Sequence, residues 1–115
     1  MVSRELLKGS LKSIVLKLLA ENGRMYGYEI TQKVASLTEG QITLTYGALY
    51  PVLHKLEKEG ALITDSEVIN NRNRIYYKLT KKGNETAREK IKELEDFVKT
   101  IGMLLKPEMG IQPCI

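Results

Sequence analysis

Three features of the chain predict an α+β, mostly α fold, a winged helix-turn-helix followed by one long carboxyl-terminal helix. Two short amphipathic stretches lead into a helix whose outer side is free of carboxylates. After Gly60 the pattern changes from helical spacing to strand-like alternation. From Ala87 to Leu105 apolar residues recur every four and three positions.

The bounds come from size and composition. A chain of 115 residues holds one domain with a modest core. Apolar residues at 43% and charged residues at 28% are ordinary for a globular protein. No apolar run approaches the roughly 20 residues that cross a bilayer, and the amino terminus has no secretory pattern. The single cysteine, Cys114, leaves no partner for an intrachain disulfide or a cysteine metal cluster. A cytoplasmic protein with no membrane partner is the expectation. The net charge of +4 is unevenly placed: residues 1–60 carry 8 Lys/Arg against 6 Asp/Glu, residues 61–86 carry 5 against 3, and residues 87–115 are balanced. The basic excess is small, but it lies where the outward helix and the hairpin lie.

Leu7, Leu11, Ile14, Val15, Leu18 and Leu19 follow helical spacing and predict a first helix from Arg4 or Ser10 to Asn22, with Asn22-Gly23 as its stop. Core packing is its expected role. A connection, Gly23 to Gly27, leads to a second helix from Tyr28 to Leu37 with Ile30, Val34 and Leu37 on one stripe. Thr38 to Gln41 reads as a turn, and Ile42-Thr43-Leu44 as a very short strand or extended linker.

The next helix organises the chain. Thr45 is its polar cap and Gly60 its left-handed stop. Leu49, Val52, Leu53 and Leu56 form one apolar stripe. At about 100° per residue, the opposite side carries Gly47, Tyr50, Pro51, His54 and Lys58, with Lys55 on the flank. A cationic and aromatic face without carboxylates suits a helix that meets polyanionic DNA and reads base edges. Pro51 is opposed four residues back by Gly47, so a slight bend is expected there, not a break.

Leu62 to Ile69 is rich in β-branched residues, Asn70 to Asn73 is a polar turn, and Arg74 to Leu79 alternates, with Ile75, Tyr77 and Leu79 on one face. A hairpin directly after an outward helix is the wing of a winged helix. Arg72, Asn73 and Arg74 at its tip suit phosphates or a minor groove; a plain solvated turn is the competing reading. Thr80 caps a last helix that runs to Leu105. Its residues Ala87, Ile91, Leu94, Val98, Ile101 and Leu105 have the rhythm of a two-helix seam, so a homodimer interface is expected, with packing onto the chain's own first helix as the alternative. The expected organisation is therefore residues 1–80 as DNA-binding domain, 81–106 as dimerisation helix and 107–115 as a frayed tail.

Catalytic chemistry finds no footing. His54 is the only histidine, so no zinc set forms with Cys114. No nucleophile sits in a recognisable motif, and the glycines make no phosphate-cradling loop. An enzyme is not expected, nor a metal or cofactor.

Gly47 to Gly60, followed by Arg74-Ile75-Tyr76-Tyr77-Lys78-Leu79-Thr80-Lys81-Lys82-Gly83, resembles the PadR family of bacterial and archaeal transcriptional regulators. Gly9-Ser10-Leu11 and Tyr26-Gly27-Tyr28-Glu29-Ile30 match the same pattern, so the resemblance covers roughly residues 5–105. The length resembles the small subfamily with a single carboxyl-terminal dimerisation helix. The resemblance implies a homodimer that binds a palindromic operator on double-stranded DNA and represses neighbouring genes. It places Thr45, Ala48, Tyr50 and Lys55 towards DNA and the wing from Arg72 to Arg74 on the backbone. Ala48 stands where threonine or serine is common, offering a methyl in place of a hydroxyl. Some small family members stack flat aromatic compounds at the dimer centre. The matching pocket here would hold Leu94 and Phe97, with no tryptophan.

The leading expectation is a sequence-specific repressor released from DNA by a ligand or signal. Two other readings compete with it: a winged helix that binds protein, and a sensor of a small aromatic effector whose DNA binding is secondary. Steep salt dependence of DNA affinity separates the first from the second.

Overall fold

The computed structural model describes residues 1–106, so the expected tail and Cys114 lie outside the described residues. Helices α1 (Arg4–Lys8) and α2 (Leu11–Asn22) replace the single first helix. The break falls at Gly9-Ser10, where the Ser10 hydroxyl donates to the Leu7 carbonyl at 3.1 Å and closes the first helix. Helix α2 ends where the Asn22 amide donates to the Leu18 carbonyl at 2.8 Å and Gly23 takes φ +75°. Strand β1 (Met25–Tyr26) lies inside what the sequence presents as a connection. Two residues carry no periodic signal; their pairing with Tyr77 and Tyr76 makes them a strand.

Helix α3 (Gly27–Leu37) starts where the Glu29 carboxylate accepts the Tyr26 N–H at 3.1 Å. Glu39 and Gly40 both have positive φ in the turn that follows. Ile42 to Leu44 is an extended linker without strand pairing, and Leu44 plugs into the core. Helix α4 (Tyr46–Lys58) begins as expected, with Thr45 Oγ1 accepting the Ala48 N–H at 3.2 Å, and it continues unbroken through Pro51. Gly60 at φ +86° turns the chain so that the Ala61 N–H reaches back to the Leu56 carbonyl at 2.9 Å.

Strands β2 (Leu62–Ile69) and β3 (Arg72–Leu79) form the hairpin, and the sheet order is β1-β3-β2, all antiparallel. The turn is tighter than the sequence suggests. Asn70 and Asn71 alone form it, both at positive φ, and Ile69 pairs directly with Arg72. Two positive-φ residues match the twist of a hairpin, and asparagine tolerates them best after glycine.

Helix α5 (Lys81–Leu105) is joined to the body through Thr80. Its hydroxyl accepts the Gly83 N–H at 2.9 Å and donates to the Gly60 carbonyl at 2.7 Å. Gly83 lies against the Ala61 carbonyl so closely that a Cβ would overlap it. The core gathers Val15 and Leu16 from α2, Ile30 from α3, Leu49, Leu53 and Leu56 from α4, and Leu62 from β2, all fully buried. The outer part of helix α5 extends past this body, and the longest axis measures 62 Å against 28 and 21 Å.

Candidate nucleic-acid interface

The α4 face turned away from the core is exposed at Gly47, Pro51, His54, Lys55 and Lys58. Glu57 and Glu59 are also exposed. Glu59 pairs with Lys12 at 3.0 Å, and that hydrogen-bonded ammonium holds its carboxyl below the usual carboxylate range. Two of the expected reading residues, Ala48 placed towards DNA by the family resemblance and Tyr50 placed outward by its spacing, are only partly exposed. Ala48 is half-buried against the core. Tyr50 is half-buried too, its phenol laid on Gly27, where any side chain would collide with it. Absence of a Cβ on α3 thus tilts Tyr50 towards the helix junction. Tyr46, Tyr50 and His54 make a row at one-turn spacing, with ring centroids 5.6 Å and 6.0 Å apart.

Between this row and the wing runs an open groove of about 830 Å³. Tyr28, Tyr46 and Tyr50 line its helix side, and Arg72, Asn73 and Arg74 its wing side. The structure therefore brings Tyr50 and the three wing residues together, while Pro51, His54, Lys55 and Lys58 continue along α4 outside the groove. Thr45, exposed at the helix start, uses its hydroxyl oxygen as the cap acceptor. Arg72 and Asn73 are exposed at the tip. Arg74 is half-buried, its guanidinium 4.1 Å from the Tyr26 ring centroid.

Tyr26, Tyr28 and Tyr46 were not singled out for a role at this interface by sequence reasoning, nor was Arg24. The signal available for two of them was the Tyr-Gly-Tyr run at the start of α3; Arg24 carries none, because its partners Asp65 and Glu67 are far along the chain. The Arg24 guanidinium donates to Asp65 at 2.9 Å and to Glu67, and lies 3.9 Å from the Tyr76 ring centroid. The hydrogen bond to Glu67, more than the field of Asp65, holds Arg24 firmly in its charged form.

The expected dimer residues divide. Ala87 is 2% exposed inside the protomer's own core, so it is no part of a free face; Gly83 and Ala87 let α5 approach the body closely. Ile91 and Leu94 are half-buried beside α2, lining an apolar groove of about 320 Å³ with Ile14, Leu18, Val34 and Leu37. Val98 and Leu105 are largely exposed, and Ile101 partly so. Of the two expected pocket residues, Leu94 lines this groove and Phe97 stands in solvent outside it. Among the described residues no group of three His, Cys, Asp or Glu side chains is placed to hold a metal, and no helix is long and apolar enough to cross a membrane.

Residues 15–89 match the sequence profile of the transcriptional regulator PadR-like family. An uncharacterised protein of Lysinibacillus sphaericus is 31% identical over 107 residues, covering 92% of this chain and 97% of that one. A transcriptional regulator of Mycobacterium tuberculosis is 29% identical over 85% of this chain and 88% of its own length. Among solved structures, a transcriptional regulator from Clostridium thermocellum superposes with a TM-score of 0.79 at 29% identity, covering 88% of this chain and 98% of its own. A PadR family regulator from Eggerthella lenta gives 0.67 at 32% identity, with 88% and 82% covered. The helical body, the three-stranded wing sheet and the long last helix are those of a winged helix, and the chain belongs to the PadR-like family of transcriptional regulators.

Proposed function

We propose that this regulator binds double-stranded DNA as a homodimer, reads a palindromic operator, represses the genes beside it, and is released by a ligand or signal. The observation that carries this reading is the groove lined by Tyr46 and Tyr50 of α4 on one side and by Arg72, Asn73 and Arg74 of the wing on the other, with exposed His54, Lys55 and Lys58 continuing along α4. Thr45, Ala48, Tyr50, Pro51, His54, Lys55 and Lys58 would meet the major groove. Arg72, Asn73 and Arg74 would meet phosphate or the adjacent minor groove.

Support for the homodimer comes from α5, whose outer part bears Val98, Ile101 and Leu105 beyond the body that buries its inner part. Two chains joined there would set two reading helices about one DNA turn apart. An apolar effector held near Leu94 would favour one spacing over another and so shift DNA affinity. Leu94 and Phe97 do not share this groove, since Phe97 lies outside it.

The test is a salt titration of DNA binding. Lys55→Ala should weaken binding to all sequences and flatten the slope of log affinity against log salt by about one. An unchanged slope removes Lys55 from the phosphate set, and wild-type affinity that ignores salt removes the reading itself.

A further inference from the structure

Four side chains alternate across the base of the wing: Arg24, Tyr76, Tyr26 and Arg74. Arg24 lies over Tyr76, Tyr76 meets Tyr26 edge-on at 5.5 Å, and Arg74 lies over Tyr26. The register explains why they share one face. Tyr76 pairs with Tyr26 on one side and Asp65 on the other, and Arg74 pairs with Glu67. Arg24 precedes β1, whereas Asp65 and Glu67 belong to β2, so its guanidinium reaches across the central strand to the far one.

Beyond Tyr76 the support changes. Strand β1 ends there, and β3 from Arg72 to Ile75 pairs with β2 alone. A two-stranded ribbon is weakly held and twists freely compared with a three-stranded sheet. The direction of the tip relative to α4 is therefore set at the base. Two carboxylates on a strand that leads to a cationic tip also ask for a reason, since by field alone they oppose a polyanion.

We propose that Arg24, Asp65 and Glu67 form a positioning clamp that aims the wing at DNA, with no contact of their own to it. The inference rests on the DNA-binding reading above. Its signature is a sign that electrostatics alone does not give. Arg24→Met removes a positive charge and Asp65→Asn with Glu67→Gln removes two negative ones, yet both break the same strap.

The experiment compares the full chain and the two variants for binding to duplex DNA of mixed sequence, and for amide exchange in residues 66–75. Both variants are expected to bind about two- to fivefold more weakly, with faster exchange in the wing and an unchanged thermal midpoint for the body. Tighter binding by the double variant, or unaltered exchange in the wing of either, overturns the clamp while leaving the DNA-binding reading intact. Wild-type protein that binds no duplex overturns both. A variant that loses its thermal midpoint shows that the strap holds the fold and not the wing alone, which also overturns the assignment.

Discussion

The inner and outer halves of α5 carry the same four-three apolar rhythm and meet opposite fates. In the inner half the seam residues pack on the body, Ile91 among them. Gly83 presses on the Ala61 carbonyl, Ala87 is buried, and the Ser13 hydroxyl of α2 donates to the Lys90 carbonyl at 3.4 Å. In the outer half they are large and bare, with Val98 62% and Leu105 70% exposed, and Phe97, Met103 and Leu104 open beside them. Periodicity alone does not separate the two halves; what separates them is whether the body reaches that turn of the helix, as it does at Ala87 and Ile91 and does not at Val98 and Leu105.

Substitutions that respect this boundary sharpen the comparison. The largest effect is expected from Ala87→Asp, which places an unpaired charge inside the protomer and should cost about 3–5 kcal/mol; urea unfolding would show a loss that does not depend on protein concentration. Val98→Asp should leave the fold intact but convert the proposed dimer to monomer, seen as lower mass in sedimentation and weaker binding to a two-half-site duplex. A Val98→Asp protein that stays dimeric would move the interface elsewhere.

Next in size is one substitution with opposite signs at two sites. Gly83→Ala must displace the Ala61 backbone and should cost about 1–3 kcal/mol. Gly102→Ala meets nothing within 4 Å, and should gain about 0.5–1 kcal/mol of helix stability by thermal melting. A loss at Gly102 would mean that a partner chain packs there closely. The smallest effect is alkaline. Burial, ahead of nearby Tyr50 and Glu57, pushes the Tyr77 phenol up, so its contribution is complete below the ordinary phenol range and is lost as pH rises through the raised one. Urea midpoints above about pH 10 should fall more steeply for wild type than for Tyr77→Phe, and equally at all protein concentrations.

What was legible in the sequence was local. Thr45 and Thr80 announce their helices because a cap bonds three residues on, as both do. The α4 stripe was legible because burial repeats at a fixed period, and the hairpin because β-branched and alternating residues flank a polar turn. What escaped depends on distant chain. Met25-Tyr26 becomes a strand only because Tyr76 and Tyr77 pair with it. Tyr50 leans inward because Gly27, on another helix, leaves room for its phenol. Arg24 finds its carboxylates 41 and 43 residues away. At the groove, Arg72, Asn73 and Arg74 were expected from composition and position, while the tyrosines of its other wall required the fold.

The measurement that bears most directly on the account is selection of genomic DNA fragments on the purified protein, followed by sequencing and salt titration of the enriched pool. One palindrome with half-sites about one DNA turn apart is expected, bound with an affinity that falls steeply with salt. Diffuse recovery without a common half-site would contradict it and leave the winged helix as a surface for another kind of partner.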